Sequence, residues 1–171
     1  MSESRPPEPS DAEPRQENAL QEASDDILDY LEGLLDAMEI EGKADVIAAG
    51  EDELTASIDG PDGALLIGRK GRTLDAIQDL LRQAVQREGR PRFRVSLDVE
   101  GYRGRRRQAV EKLAHEGVRE AMDHGEAELE PMTPYERKIV HDIVALTEGV
   151  SSFSEGQEPD RRVVVRDTSS A

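Results

Sequence analysis

Along residues 27–38, Ile27, Leu28, Leu31, Leu34, Leu35 and Met38 recur at three- and four-residue intervals and predict an amphipathic helix. Ser24 caps this helix, Asp25 and Asp26 suit the positive end of its dipole, and Gly42 ends it. The period then drops to two. Ala44–Ala49 and Glu53–Asp59 read as strands, with Leu54, Ala56 and Ile58 alternating with polar residues around the turn Gly50-Glu51-Asp52. Gly60-Pro61-Asp62-Gly63 breaks the pattern, and Ala64–Ile67 provides about one turn of helix. After Gly68-Arg69-Lys70-Gly71 a longer helix runs from Arg72 to about Glu88, with Leu74, Ile77, Leu81, Ala84 and Val85 on its inner face. Gly89 and Pro91 stop it, and Phe93, Val95, Leu97 and Val99 alternate with polar residues in a third strand. This order predicts an α+β module: a three-stranded sheet with helices on one face.

A second pattern follows. Tyr102 to about His124 reads as a helix that opens with Arg103, Arg105, Arg106 and Arg107; its apolar side holds Val110, Leu113, Ala114, Val118, Ala121 and Met122. Glu126–Glu130 is a short strand. Thr133-Pro134-Tyr135-Glu136 then has the form of a helix start, with Thr as cap, Pro at the first position and Glu closing a capping box. Val150–Ser154 and Arg161–Arg166 are strands on either side of the turn-rich segment 155–160. The expected organisation is a disordered acidic tail over 1–23, a first domain over 24–100, a connecting helix over 101–124, a small α/β domain over 125–167, and a disordered end over 168–171.

Composition narrows the function classes. The tail is rich in Pro, Glu, Asp and Ser and has too little apolar surface to offset the entropy of ordering. Cysteine is absent, which excludes disulfides, thiolate metal sites and cysteine nucleophiles. No apolar run approaches membrane-spanning length, and the N-terminus has no signal-peptide pattern, so a cytoplasmic protein without membrane insertion is expected. The net charge of −16 argues against a nucleic-acid partner only until its distribution is considered. Residues 1–60 hold 18 acidic and 3 basic residues, a net of −15; residues 61–120 hold 9 and 14, a net of +5; residues 121–171 hold 11 and 5, a net of −6. The positive field is in the middle of the chain, where the glycine loop lies.

The loop Gly68-Arg69-Lys70-Gly71 combines backbone freedom, close approach to the main chain and a helix N-terminus with three cations, Arg69, Lys70 and Arg72. That chemistry suits a phosphodiester backbone. A basic turn without function is the bland alternative. A nucleotide-binding P-loop fails: Gly63 and Gly68 have its spacing, but Arg69 and Lys70 stand where Lys and a hydroxyl residue are required. The order of elements around the Ile67-Gly68-Arg69-Lys70-Gly71 loop resembles the type II KH fold over about residues 24–99. The resemblance implies a loop that clamps about four nucleotides of single-stranded RNA. It further implies a groove walled by Leu66, Ile67 and Leu74, with Val95 or Leu97, although core packing would explain these residues equally.

Arg137 and His141 stand four residues apart and share a face of the second-domain helix, expected to project away from a stripe of Tyr135, Ile139, Ile143 and Leu146. An Arg fork with a titratable His can hold a phosphate; an ordinary solvated helix face is the alternative. The run from Glu128 to His141 and that from Ser154 to Val165 resemble the R-three-H domain, which is associated with single-stranded nucleic acid. On that resemblance Arg137 and His141 are the motif residues, and Arg161 and Arg162 add charge to the same surface. A KH module followed by R-three-H resembles the Jag (KhpB) family. This implies a non-enzymatic RNA-binding regulator or RNA chaperone, with a KhpA-type KH protein as partner and a link to cell elongation and envelope synthesis. Many of these proteins begin with a folded Jag-N domain, where this sequence has the acidic tail. No catalytic group, metal site, cofactor or small-molecule substrate is expected. An adaptor whose acidic tail and helices dock on a protein is the competing class.

Overall fold

The computed structural model describes residues 13–50, 52–86 and 91–169, which form two units, 1–100 and 101–171. The first contains α1 (Glu13–Ala37), β1 (Lys43–Ala48), β2 (Glu53–Asp59), α2 (Gly63–Ile67), a single 3₁₀ turn at Arg69–Gly71, α3 (Arg72–Val85) and β3 (Arg94–Val99). β1 and β2 form an antiparallel hairpin, while β2 and β3 run parallel, with Leu54 opposite Val95 and Ile58 opposite Val99. Parallel neighbours need a crossover. Here α2, the glycine loop and α3 are that crossover, so the loop is part of the connection that holds the sheet together.

The core is aliphatic. Leu54, Ala56 and Ile58 from β2 and Val95, Leu97 and Val99 from β3 are buried together with Leu74, Ile77, Leu81 and Val85 of α3. Each large side chain fully buried in this way contributes about 1.5–3 kcal/mol. Ala84 is exposed, in contrast to the expected inner face. Side chains of α3 also occupy polar groups along β3: Leu97 N–H donates to Gln78 Oε1 at 2.9 Å, and Arg82 Nε donates to the Val95 carbonyl at 3.1 Å.

α1 differs from its expected start. It begins at Glu13 rather than at Ser24, and Ala23 is completely buried. The expected disordered segment is thus helical from residue 13; its first twelve residues, like 170 and 171 at the other end, lie outside the described residues.

The second unit contains α4 (Tyr102–His124), β4 (Glu126–Glu128), α5 (Pro134–Val144), β5 (Val150–Glu155) and β6 (Arg162–Asp167), with strand order β4-β6-β5 and both pairings antiparallel. α4 is not a mere connection. Val110, Ala114, Val118 and Ala121 pack in one core with Ala127, Leu129, Met132, Val140, Val144, Val163 and Val165. Gly117 permits this approach, since a Cβ there would come within 2.7 Å of the Leu129 side chain.

Candidate nucleic-acid interface

In the first unit, α2 ends where Gly68 N–H donates to the Ala64 carbonyl at 3.1 Å. Gly68, with φ 67° and ψ −172°, then turns the chain, and Lys70 and Gly71 follow with φ 57° and 79°. Three of four loop residues thus occupy backbone regions that L side chains rarely adopt. Only glycine fits at 68 for a second reason: a Cβ there would overlap the Thr73 side chain. Arg69 and Arg72 are exposed, Lys70 is half-buried and Gly71 is buried. The result is a stiff loop at the start of α3 with basic side chains around its tip.

The expected groove wall is only partly present. Leu66, Leu74, Val95 and Leu97 are core residues, because α2 and α3 both press onto the sheet. Ile67 remains half-buried, and its neighbour Leu65, which no sequence pattern singles out, is exposed. Leu65 and Ile67 are therefore the apolar surface that α2 leaves near the loop.

In the second unit the capping box forms as expected: Glu136 N–H donates to Thr133 Oγ1 at 3.3 Å, and Thr133 N–H donates to Glu136 Oε2 at 2.8 Å. Arg106 of α4 donates to the other Glu136 oxygen at 2.6 Å. The helix, however, is rotated relative to the expected stripe. Glu136, Arg137, Val140 and Val144 face inward, whereas Tyr135 is 64% and Leu146 88% exposed. Arg137 shares the inward face because Val140 and Val144 lie three and seven residues beyond it.

Arg137 is consequently only 7% exposed and engaged at both terminal nitrogens: Nη1 donates to the Met132 carbonyl at 2.8 Å and Nη2 to Glu158 Oε1 at 2.6 Å. His141 bridges two hydroxyls of β5, with Nδ1 2.7 Å from Ser152 Oγ and Nε2 2.9 Å from Ser154 Oγ. Burial lowers its pKa from 6.5, and the Arg137 charge lowers it further against a weaker opposing effect of Asp142. A neutral imidazole has one donor and one acceptor nitrogen, so one serine accepts from it and the other donates to it.

Arg161 joins this group through Met132, whose N–H donates to the Arg161 carbonyl at 3.1 Å while its own carbonyl accepts from Arg137. The Arg161 Nε is buried with no partner. Arg162 departs from the expectation: it starts β6 and bridges to Glu128 of β4 at 3.0 Å, two strand positions from Val164 and away from the Val163–Val165 core face. Ser152, Ser154 and Glu158 are additions that the sequence pattern does not single out. The two-residue spacing of Ser152 and Ser154 is the available signal, since strand alternation places both on one face.

Among the described residues no group of His, Asp or Glu could hold a metal ion, and no helix is long and apolar enough to cross a membrane.

Residues 24–97 match the family model described as KhpA/KhpB, KH domain, and residues 108–167 match the model of the R-three-H domain, whose first matched residue lies inside α4. The chain is 35% identical over 143 residues to the RNA-binding protein KhpB of Clostridium symbiosum, covering 82% of this chain and 64% of that protein. It is 36% identical over 140 residues to KhpB of Lactiplantibacillus plantarum, covering 81% of this chain and 43% of that protein. It is 31% identical over 140 residues to KhpB of Bacillus subtilis, covering 80% and 66%. The chain thus spans between about two fifths and two thirds of the length of these relatives. With a KH domain matched over residues 24–97 and an R-three-H domain over 108–167, in that order, the chain belongs to the KhpB family.

Proposed function

We propose that this chain binds single-stranded RNA, with the Gly68–Gly71 loop clamping the sugar-phosphate backbone and the second unit adding a further contact around Arg137, His141 and Arg161. The observation that carries this reading is the loop conformation: positive φ at Gly68, Lys70 and Gly71 presents a short stretch of main chain, with Arg69, Lys70 and Arg72 as its cations. Curated relatives named RNA-binding protein support it. On this reading the protein is a cytoplasmic RNA chaperone or post-transcriptional regulator. The same reading includes a KhpA-type KH protein as partner and a role in cell elongation and envelope synthesis. The Arg137 contact requires phosphate to share or replace Glu158 on the guanidinium.

The test is binding of a labelled 16-nucleotide oligouridine to the wild-type chain and to R69D/K70D. A loss of at least about tenfold, with the thermal unfolding profile unchanged, supports the clamp, since two charge-assisted contacts become repulsive. Equal affinity for wild type and variant would refute it.

A further inference from the structure

The second unit carries an aromatic ring that its fold does not use. Tyr135 is the most exposed aromatic side chain among the described residues: Phe93 is buried, Tyr30 and Tyr102 are half-buried, and the Phe153 ring is covered by the Arg166 guanidinium, 5.0 Å from its centroid. An exposed ring of this size in the first turn of a helix contributes little to stability, because most of its surface stays in water. Its position is nevertheless well fixed. Pro134 and the Thr133–Glu136 capping box define the turn on which it stands, and the bridge from Arg106 to the buried Glu136, 2.6 Å long, joins that turn to α4.

The bridge also determines Tyr135's neighbours. Arg107 follows Arg106 as Tyr135 precedes Glu136, and the two adjoining residues meet at the surface. Arg107 is exposed and bonded to Glu111 at 2.8 Å, and its guanidinium is held further protonated by Glu111 first and by the Tyr135 hydroxyl after it. Arg103, four residues before Arg107 on the same face of α4, is also exposed. From 101 to 112 the segment has five basic residues and one acidic one, Glu111, in a chain that is otherwise strongly acidic. On α5, Tyr135 stands about 200° from Arg137 and about 240° from His141, so this surface is separate from theirs.

We infer that Tyr135, with Arg107 beside it, is a stacking site for one unpaired nucleobase of single-stranded RNA, the exposed guanidiniums of Arg107 and, one turn along α4, Arg103 taking the adjoining phosphates. The inference rests on the RNA-binding reading above and adds a contact point that neither the glycine loop nor the Arg…His pair supplies. The chemistry favours this occupant. A ring with an open face takes a base irrespective of sequence, and guanidinium groups beside it meet the backbone charge. The hydroxyl contact to Arg107 is not needed for stacking, so phenylalanine should serve in its place.

The experiment uses the whole chain with the same 16-nucleotide oligouridine, comparing wild type, R69D/K70D, Y135A and Y135F, with ultraviolet crosslinking and mass spectrometry to locate the linked residue. Y135A is expected to weaken binding about tenfold with unfolding unchanged, Y135F to retain wild-type affinity, and the crosslink to fall on Tyr135. Wild-type affinity in Y135A, while R69D/K70D remains impaired, overturns the stacking site and leaves the RNA reading standing. A loss in Y135F equal to that in Y135A also overturns it, assigning the effect to the hydroxyl. Absence of RNA binding by the wild-type chain overturns the RNA reading and this site with it.

Discussion

Arg137 donates to the Glu158 carboxylate at 2.6 Å, so the arginine of the Arg…His pair is already held by an acid from the β5–β6 loop. Glu158 is half-exposed, whereas Arg137 is almost fully enclosed. The acid therefore lies where an incoming phosphate would have to bind. Replacing Glu158 by Gln removes the competing charge and keeps the shape. It should raise the affinity of the chain for single-stranded RNA by about threefold or more, as read by fluorescence anisotropy. An unchanged or lower affinity would mean that phosphate does not reach Arg137.

Arg137 has a structural share in this arrangement. Arg137→Met retains the packing of the stem but leaves the Met132 carbonyl and Glu158 without their donor. A loss of about 2 kcal/mol is expected, below the range for a wholly buried pair because Glu158 can return to water. Hydrogen exchange at α5 and β6 amides should accelerate accordingly, while that of β2 and β3 in the first unit stays as it was. Wild-type protection in α5 would contradict the engaged position of the guanidinium.

His141 gives the second unit a pH dependence. Its folded-state pKa lies below 6.5, so between the two values the unfolded chain binds the proton that the folded one refuses. Stability from this group is complete above about pH 6.5 and declines as the pH falls toward the folded value. A nuclear magnetic resonance titration should find the His141 ring titrating below 6.5. His141→Gln should flatten the acid side of the stability profile of the second unit.

The loop is testable through salt as well as through mutation. Each phosphate contact by a cation on a single strand adds a slope of about −0.7 to log affinity against log salt. Arg69→Gln with Lys70→Gln should therefore reduce the slope by about 1.4 units, a change that a purely structural role for the loop would not produce.

α1 provides a check on the first unit. Ala23 is fully buried, eleven residues into a helix whose first half has the composition of a tail. Ala23→Asp places an unpaired carboxylate there and should cost at least about 2 kcal/mol in denaturant unfolding.

The order of elements in the first unit is legible in the sequence because its strands alternate cleanly and its glycines fall at the turns. The loop is legible for the same reason, since Gly68 and Gly71 mark positions with positive φ. Ala23 is not. A short apolar residue among acids gives no periodic signal, and its burial depends on what packs against it. The rotation of α5 escapes a reading by residue type, which sends Arg137 and His141 outward, whereas Val140 and Val144 fix the inward face and carry Arg137 with them. Leu66 and Leu74 are ambiguous in any sequence reading, as a leucine near a groove also suits a core.

The backbone of the glycine loop divides its four positions into those open to evolutionary drift and those closed to it. Gly68 cannot acquire a side chain without displacing Thr73, and Gly71 is buried with a left-handed backbone. Lys70 shares that left-handed geometry, which asparagine, aspartate or glycine would accept and valine or isoleucine would not. Arg69 alone combines an ordinary negative φ with exposure. Descendants of this sequence can therefore retune the charge of the tip freely at Arg69, and at Lys70 within the few residue types that its backbone accepts, without altering the crossover that keeps β2 and β3 in register.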